Sequence, residues 1–476
     1  MPAFEAARFY RIFNQFSKMN NTNLNIHFIA IGGSLMHSLA IALKHAGYNI
    51  SGSDDQIYDP SKSNLIKHGI LSANEGWNTG KIHDGLDAVI LGMHARKDNS
   101  ELQKALKLGL KIYSAPEYIY DQSQDKQRIV IGGSHGKSTI TAIIMYVLKY
   151  FGREFDFALG AQVEGFENMV KITDAPIIII EGDEYLSSPL DDTPKFLNYK
   201  HHIGLISGIS WDHINVFPSE EEYVKQFELF ADSTPKGGTL VYCEEDPMAS
   251  VIGLKDRPDV HLFDYKTHPF VIEDGITYLL DGEERIPIKL FGRHNLQNIS
   301  GAMKVLYRLN ISKGDIYLAI QSFKGPSKRL ELINSSASAS FFVDYAHSPS
   351  KVLASTLAMK EQYPDRELVA CLELHTFSSL SRDFLPNYKD GLRYANYPVV
   401  YFNPKTIEHK RLAPLTEDDI KKSFGSPNIR VFTSSSNLKS WLLNQDWNHK
   451  NLMLMSSGTF GDLNIGELAN ELLNES

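Results

Sequence analysis

The sequence contains little cysteine, with only Cys243 and Cys371 in 476 residues. Two distant cysteines cannot form a disulfide framework, and neither has the spacing of a metal site, so we expect a reducing compartment. No segment approaches the roughly 18 consecutive apolar residues of a transmembrane helix, which predicts no membrane insertion. Basic residues are not in excess either, since 48 Lys and Arg accompany 57 Asp and Glu and the net charge is −9. This acidic balance argues against a general nucleic-acid binder, although local sites can still hold anionic ligands.

The N-terminal segment lacks the apolar core of a signal peptide. Residues 1–20 include Glu5, Arg8, Arg11 and Lys18, so we expect a short amphipathic extension and a cytoplasmic protein. Met19 is an alternative start, because the first clear strand pattern begins just after it.

The remaining composition, 42% apolar and 22% charged, is typical of a globular enzyme. Strand patterns alternate with helical patterns, which predicts an α/β fold with mostly parallel sheets. After an extension over residues 1–23 we expect three tandem domains. They are a Rossmann-like domain over residues 24–125, a central P-loop-type ATPase domain over residues 126–326 and a C-terminal Rossmann-like domain over residues 327–476.

The first domain begins with a strand, a glycine turn, a helix and a second strand. The predicted strand Leu24–Ile31 is followed by Gly32-Gly33-Ser34, and Asp54 follows the second strand, Tyr48–Ser51. An acidic residue about 20 positions after such a turn is typical of dinucleotide sites. Because the full G-x-G-x-x-G pattern is missing, the turn indicates a pyrophosphate at a helix N-terminus rather than NAD in particular. A tight strand-to-helix turn without a ligand is the alternative.

The second domain carries a phosphate-loop pattern. Its predicted strand Arg128–Ile131 leads through Gly132 into Gly133-Ser134-His135-Gly136-Lys137-Ser138-Thr139. Backbone N–H groups of such a loop surround phosphates, Lys137 can reach the β- and γ-phosphates, and Ser138 can bind Mg²⁺. The loop is shorter than the full Walker pattern, whose first glycine would stand where Ile131 is. We favour nucleotide binding over a turn with a solvated lysine, because strand, loop and helix are all present.

Two strand ends in the same domain carry candidate metal ligands. The apolar strand Ile177–Ile180 ends at Glu181-Gly182-Asp183-Glu184, and the strand His202–Ser210 ends at Trp211-Asp212-His213. Mg²⁺ accepts carboxylate ligands while it keeps several waters, so Glu181 is the first candidate. An acidic surface turn is the alternative for Glu181, and a packed or solvated imidazole is the alternative for His213.

Three later positions carry polar groups suited to a nucleotide. Asn295 and Asn298 share one helix face, and their amides can bind a nucleotide, although helix capping by Asn295 is the alternative. Arg329, in Lys-Arg-Leu-Glu, has a guanidinium fork that suits phosphate oxygens, or it is a solvated charge. Asp344, at the end of the strand Phe341–Val343, can accept a hydrogen bond from a ribose hydroxyl or a water.

In this order, the motifs resemble those of the Mur ligase family of ATP-dependent amide-forming enzymes, from about Asn25 to the C-terminus. The resemblance implies that Lys137, Glu181 and His213 are catalytic, with Ser138, Glu181 and His213 as Mg²⁺ ligands. It further implies that ATP is bound by Gly133, Ser134, His135, Gly136, Lys137, Ser138, Thr139, Asn295, Asn298, Arg329 and Asp344, and a UDP-sugar by Gly32, Gly33, Ser34 and Asp54.

Within the family, the N-terminal turn resembles that of members that use UDP-N-acetylmuramate. The long segment Asp191–Tyr199 resembles members that attach the recycled tripeptide L-alanyl-γ-D-glutamyl-meso-diaminopimelate, a muropeptide fragment. Members that attach L-alanine are the alternative, and Leu372–Thr376 departs from the tripeptide pattern.

The resemblance implies two further assignments. His375, Thr376 and Arg382 are expected to bind the peptide carboxylates. Glu228 is expected near the position where other members have a carbamylated lysine that bridges a second metal.

Two readings from other classes remain open. A nicotinamide oxidoreductase would leave the phosphate loop unexplained. A non-catalytic UDP-sugar-binding protein would bind its ligand without ATP turnover. The sequence leaves the oligomeric state open.

Overall fold

The computed structural model describes residues 24–71, 76–212, 216–461 and 463–474. The predicted extension over residues 1–23, with Met19, lies outside the described residues, and so does His213. The described chain divides into two compact units. The first contains the residues up to Val130 with Arg153–Ile203 and Ser233–Pro235, and the second contains Ile131–Gly152, Gly204–Asp232 and the residues from Lys236 onward. The three domain boundaries expected from the sequence stay predictions.

Strands and helices alternate along the chain. The strands are β1 (Asn25–Ile29), β2 (Asn49–Ser53), β3 (Ala88–Leu91), β4 (Ile112–Ser114), β5 (Gln127–Gly132), β6 (Asp156–Ala158), β7 (Val170–Lys171), β8 (Ile177–Glu181), β9 (Leu186–Ser188), β10 (Asp191–Pro194), β11 (Ile203–Ile206), β12 (Thr239–Cys243), β13 (His261–Tyr265), β14 (Phe270–Glu273), β15 (Ile276–Asp281), β16 (Glu284–Ile288), β17 (Glu331–Ser335), β18 (Ser340–Asp344), β19 (Glu367–Leu374), β20 (Tyr397–Phe402), β21 (Arg430–Phe432) and β22 (Lys450–Met455).

The helices connect these strands. They are α1 (Ser34–His45), α2 (Ser61–Lys67), α3 (Ser100–Lys107), α4 (Ala115–Asp121), α5 (Lys137–Tyr150), α6 (Lys195–Asn198), α7 (Glu220–Asp232), α8 (Pro247–Gly253), α9 (Arg293–Arg308), α10 (Lys313–Ile320), α11 (Pro349–Gln362), α12 (Pro404–His409), α13 (Glu417–Phe424), α14 (Ser435–Leu443) and α15 (Ile465–Asn474), with short 3₁₀ helices at Thr79–Lys81 and Leu385–Tyr388.

The first unit contains a four-stranded parallel sheet in the order β2-β1-β3-β4. Ile29 of β1 and Val89 and Leu91 of β3 pack with Leu102 and Ala105 of α3 in its core. Because the strands are parallel, the residues that follow β1 and β2 lie at the same edge of the sheet. In the same unit, β8 pairs parallel with β6, and β9 and β10 form an antiparallel hairpin.

The second unit contains β12 and β13, a parallel pair on which α9 packs, and the antiparallel sheet β14-β15-β16. Helix α5 packs against α9 and α10. A six-stranded sheet in the order β17-β18-β22-β19-β20-β21 follows, parallel except for β17. Alternate residues of β19 enter different cores, with Ala370 and Leu372 on one face and Val369 and Cys371 on the other.

The α/β class with mostly parallel sheets is confirmed. The predicted strand His202–Ser210 is wrong at its end, because the observed strand stops at Ile206. Both cysteines are buried and free. Within the described ranges, no helix has the length and apolar character needed to cross a membrane.

Candidate active site

The phosphate loop between β5 and α5 depends on two glycines. Gly133 has φ +135° and Gly136 has φ +79°, conformations that residues with a side chain rarely adopt. A Cβ on Gly133 would lie 2.0 Å from Ser207 Oγ, and one on Gly136 would lie 2.3 Å from Asn298 Oδ1. The loop is therefore closely packed on its outer side, and any larger residue at either position would deform it.

Ser134 fixes the loop from the protein side. Its Oγ lies 2.8 Å from Tyr223 Oη and accepts the Ser210 N–H at 2.8 Å, and its own N–H donates to Gly208 O at 2.9 Å. Ser207 adds a hydrogen bond from its Oγ to His135 O. These contacts explain why β11 ends early, since the residues after Ile206 turn to hold the loop instead of continuing the strand.

The first turn of α5 brings the phosphate loop to the Lys-Arg-x-Glu motif. Lys137 Nζ donates to Gly133 O at 2.5 Å, so the lysine lies along its own loop. Arg329 Nη2 donates to Ser138 Oγ at 3.4 Å across 191 residues of sequence. The Arg329 guanidinium stacks over Tyr345, 4.4 Å from the ring centre. The structure thus places a lysine, a hydroxyl and a guanidinium together, as a triphosphate site requires.

The two predicted asparagines lie buried in the first two turns of α9. Asn295 Nδ2 donates to Phe291 O at 2.9 Å, and Asn298 Nδ2 donates to Asn295 Oδ1 at 3.4 Å. Gly292, not Asn295, is the N-cap of this helix. Asn298 Oδ1 would lie 2.3 Å from a Cβ on Gly136, so this helix and the phosphate loop are in close contact.

His135, inside the loop, is neutral at pH 7. Burial, with Lys351, Lys137 and His294 nearby, lowers the pKa of its imidazole to about 3. Its Nδ1 is buried, and within the described chain it has no hydrogen-bond partner. His135 therefore brings no charge to the loop, and its neutral imidazole has one N–H donor and one acceptor nitrogen. Thr139, the last residue of the predicted loop, is buried in α5.

The end of β18 contributes a buried carboxylate. Asp344 Oδ2 accepts a hydrogen bond from Ser355 Oγ of α11. Three residues on, burial lowers the pKa of His347 to about 3, with Lys351 acting in the same direction and Asp212 opposing. The Trp-Asp-His segment therefore approaches the Asp-Tyr-Ala-His motif at Asp212, while His213 itself is outside the described residues.

Glu181 lies at the end of β8 in the first unit. Its Oε2 accepts the N–H of Gly160 at 2.8 Å. The neighbouring Asp183 pairs with Lys195 at 2.6 Å and so fixes the start of α6. Glu228, the residue expected in place of a carbamylated lysine, is exposed on α7, and its role stays a prediction.

The N-terminal glycine turn closes on its own acidic residue. Asp54 Oδ2 accepts the Gly32 N–H at 2.7 Å, and a Cβ on Gly32 would lie 2.9 Å from the same oxygen. Burial raises the pKa of Asp54 to about 6, against the lowering effect of the Gly32 N–H. Gly33 is the N-cap of α1, and Ser34 Oγ donates to Gly160 O at 2.9 Å. The four predicted UDP-sugar residues therefore lie at one helix N-terminus.

The predicted peptide-binding residues are not all available for a ligand. His375 lies beside the buried Glu373, with Nδ1 3.9 Å from Oε1. Thr376 Oγ1 donates to Ser379 Oγ at 2.9 Å within its own turn. Arg382 pairs with Asp419 at 3.0 Å.

Sequence reasoning missed Ser207, Ser210 and Tyr223 as supports of the loop. Ser207 and Ser210 follow the strand β11. Because ligands bind at the carboxyl ends of parallel strands, this position could have marked them from the sequence. Tyr223 had no such signal, because a tyrosine on an amphipathic helix is most often an ordinary core residue.

The residues fit ATP and Mg²⁺ by their chemistry. The glycine-lined loop is a cradle that side chains would fill. No group of three or more His, Cys, Asp or Glu side chains is placed to hold a metal among the residues with described positions. Mg²⁺ does not need one, because it keeps several waters and takes one or two protein oxygens. The Ser138 hydroxyl, in the first turn of α5, is an oxygen of that kind.

Two family models match the chain. The model described as "Mur ligase family, catalytic domain" matches residues 25–127, and the model described as "Mur ligase middle domain" matches residues 131–306.

The similar proteins include ligases of two kinds. The UDP-N-acetylmuramate–L-alanine ligase of Caldicellulosiruptor saccharolyticus is 30% identical over 385 residues, covering 78% of this chain and 82% of that protein. The UDP-N-acetylmuramate–L-alanyl-γ-D-glutamyl-meso-2,6-diaminoheptanedioate ligase of Haemophilus influenzae is 26% identical over 347 residues, covering 71% and 76%. Among solved structures, the UDP-N-acetylmuramate–alanine ligase of Thermotoga maritima has a TM-score of 0.71 at 18% identity, covering 95% of this chain and 99% of that chain.

Proposed function

We propose a reaction from one premise, that the chain belongs to the Mur ligase family, whose members are ATP-dependent, ADP-forming amide ligases. The proposed substrates are UDP-N-acetylmuramate and the recycled tripeptide L-alanyl-γ-D-glutamyl-meso-diaminopimelate. The lactyl carboxylate of the UDP-sugar would be joined to the α-amine of the tripeptide. The cytoplasmic location stays a prediction.

The proposed chemistry has two steps. A lactyl carboxylate oxygen forms a bond to the γ-phosphorus of ATP, the bond from that phosphorus to the β–γ bridging oxygen breaks, and ADP leaves. The tripeptide amine then attacks the acyl carbon, loses a proton and displaces phosphate. Phosphorylation is needed because a free carboxylate has no good leaving group. Catalysis of such a transfer is mainly positioning and charge stabilisation.

We assign the following roles to the protein groups as part of the proposal. Lys137, Ser138 and Arg329 would hold the phosphates, and Asn295 and Asn298 would support the loop and the nucleotide. Ser138, Glu181 and His213 stay the candidate ligands of Mg²⁺, which would supply positive charge to the phosphate oxygens.

One observation carries the ATP site, the approach of Arg329 to Ser138 at 3.4 Å. The two groups belong to motifs 191 residues apart, and a solvated charge run would not be expected to meet a phosphate loop. The guanidinium is further oriented by Tyr345, which favours a fixed role in binding anions.

The acceptor is the finer part of the proposal. The segment Asp191–Tyr199, which contains β10 and α6, supports the tripeptide, because it is the long insert that resembles tripeptide-using members. It is ordered by hydrogen bonds from Asn198 Nδ2 to Ser187 Oγ at 2.9 Å and to Asp191 Oδ2 at 2.8 Å. L-Alanine is the second candidate, favoured by the relative from Caldicellulosiruptor saccharolyticus at 30% identity.

ADP release with UDP-N-acetylmuramate and either acceptor decides between the two. We expect the larger kcat/KM with the tripeptide. A preference for free L-alanine would reverse the assignment, and no ADP release with either would favour a non-catalytic UDP-sugar-binding protein.

Lys137→Ala tests the ATP site. It should abolish ADP release while UDP-N-acetylmuramate binding, measured by calorimetry, persists. Lys149→Ala, at the exposed end of the same helix α5, is the matched control and should keep wild-type turnover. Near-normal turnover of Lys137→Ala would defeat the proposal.

A further inference from the structure

Lys410, the C-cap of α12, is a partly buried lysine without a counter-ion. Within the described part of the chain, its ammonium group takes part in no ion pair and no hydrogen bond. Burial lowers the pKa of Lys410, and no described carboxylate opposes this effect. An unpaired charge at such a position lowers the stability of the fold, so it points to a ligand that supplies the opposite charge.

Lys410 lies at the carboxyl edge of the six-stranded sheet. Helix α12 begins just after β20, which pairs parallel with β19, and β19 pairs parallel with β22. Ile407 and Leu412, on either side of Lys410 in the sequence, pack in the same core as Leu374, the last residue of β19. Because ligands of parallel sheets bind beyond the carboxyl ends of the strands, Lys410 is placed where a ligand is expected.

Other polar groups at this edge lie beside Lys410 or lack a partner. Burial lowers the pKa of His375, the Glu373 carboxylate raises it and the charge of Lys410 lowers it, so Lys410 lies beside this histidine. Glu373 is already engaged, because its Oε2 accepts the N–H of Phe460 at 2.8 Å. Ser457 follows β22, and its Oγ is buried without a hydrogen-bond partner among the described residues. These groups suit an anionic ligand with oxygen atoms.

The phosphate end of the proposed ATP site adjoins a different strand of this sheet. Arg329, which approaches Ser138, stacks over Tyr345, the residue after β18. In the strand order β18-β22-β19-β20, three steps of about 4.8 Å separate β18 from β20. The residues that follow β20 therefore lie about 14 Å from the phosphate end. The UDP-sugar is assigned to the glycine turn of the first unit, which leaves the carboxylates of the acceptor as the anion for Lys410.

We propose, on the basis of the ligase function proposed above, that Lys410 binds the carboxylate at the far end of the tripeptide acceptor. An extended peptide of three residues spans about 10 Å, and the flexible stem of the lysine covers the remaining distance. In L-alanine the amine and the carboxylate are only about 3 Å apart, so L-alanine cannot reach Lys410 while its amine attacks the acyl group. Lys410 thus selects the tripeptide, in the role expected of Arg382, which pairs with Asp419 instead.

The test is the KM for the tripeptide, measured by ADP release from the full chain. Lys410→Gln should raise this KM about ten- to a hundredfold, as the loss of one hydrogen bond between charged groups predicts. Its kcat and its KM for ATP and for UDP-N-acetylmuramate should stay within about twofold of wild type. Lys410→Arg keeps the charge and should recover most of the loss. Lys405→Gln, which changes an exposed lysine of α12, is the matched control and should behave as the wild type does.

A second measurement needs no variant. A tripeptide whose C-terminal carboxylate is replaced by a carboxamide should have a KM for the wild type that is raised about as much as Lys410→Gln raises the KM for the tripeptide. Lys410→Gln should raise the KM for this carboxamide little further, because the charge that it would bind is already missing. Should Lys410→Gln fail to fold, the wild-type comparison of carboxylate with carboxamide decides, and equal KM values overturn the proposal.

Failure of this inference is distinguishable from failure of the proposed function. An unchanged KM for the tripeptide in Lys410→Gln, or a raised KM for ATP in its place, overturns the inference alone if the wild type turns over the tripeptide. No ADP release by the wild type with either acceptor, or a preference for L-alanine, defeats the proposed function and this inference with it.

Discussion

Replacing Gly136 by alanine should disable the phosphate loop for two separable reasons. The first is backbone strain, since φ is +79° at this position and a residue with a Cβ pays about 1–2 kcal/mol there. The second is a collision, because the new Cβ would lie 2.3 Å from Asn298 Oδ1. The buried Asn298 amide must then move, and an amide left without its partners costs about 1–3 kcal/mol.

Comparison with Gly152→Ala separates the collision from the backbone strain. Gly152 follows the same helix α5 with φ +64°, and nothing lies within 4 Å of the position of its Cβ. Both variants carry the strain, and Gly136→Ala alone carries the collision. We expect an additional loss of about 1–3 kcal/mol in the unfolding free energy of Gly136→Ala.

The activity assay is ADP release at varied ATP concentration. Gly136→Ala should lose at least about a hundredfold in kcat/KM for ATP, equivalent to about 2.7 kcal/mol, while Gly152→Ala stays within about twofold. Asn298→Ala added to Gly136→Ala should restore part of the melting temperature, because it removes the colliding oxygen. Equal destabilisation by the two glycine variants, or no restoration in the double variant, would refute this reasoning.

Three further outcomes are expected. Tyr223→Phe removes one of the two partners of Ser134 Oγ, the hydroxyl at 2.8 Å, and should raise KM for ATP about five- to tenfold, the size of one hydrogen bond of about 1 kcal/mol, with kcat little changed. An unchanged KM would show that the tyrosine only fills space. Arg329→Lys keeps the charge but loses the planar stack and the fork, so kcat/KM for ATP should fall about tenfold, and wild-type activity would remove Arg329 from the site. Burial raises the pKa of Asp54 to about 6, so the folded state binds this proton more tightly than the unfolded state does. The unfolding free energy of the wild type should therefore rise by about 1–3 kcal/mol relative to that of Asp54→Asn as the pH falls from 7 through 6 toward 4. A difference in chemical denaturation that does not change with pH would contradict this expectation.

Local patterns predicted most of the parallel strands and the first helices because their signals are short-range. The run Ile177–Ile180 is a buried strand in the structure, extended by Glu181. The antiparallel strands β14, β15 and β16 were not predicted, although the pair Asp274-Gly275 is a typical hairpin-turn sequence. In the structure these two residues have φ values of +51° and +72°, as a tight hairpin turn requires.

The site was predictable where a residue type is tied to one chemistry. The phosphate loop and Arg329 are examples, and the structure brings them together. Supports such as Tyr223 could not be predicted, because their role depends on which helix packs behind the loop. The sequence suggested Arg382 as a partner for a peptide carboxylate, but it could not show that Arg382 pairs with the protein's own Asp419.

The contact between Arg329 and Ser138 has a consequence for synthesis of the chain. A ribosome adds Ser138 to the chain 191 residues before it adds Arg329. A nascent or prematurely terminated chain therefore carries a glycine-lined cradle without its guanidinium, and we expect such a chain to hydrolyse little ATP. We therefore expect the order of synthesis to limit the ATP that unfinished chains consume.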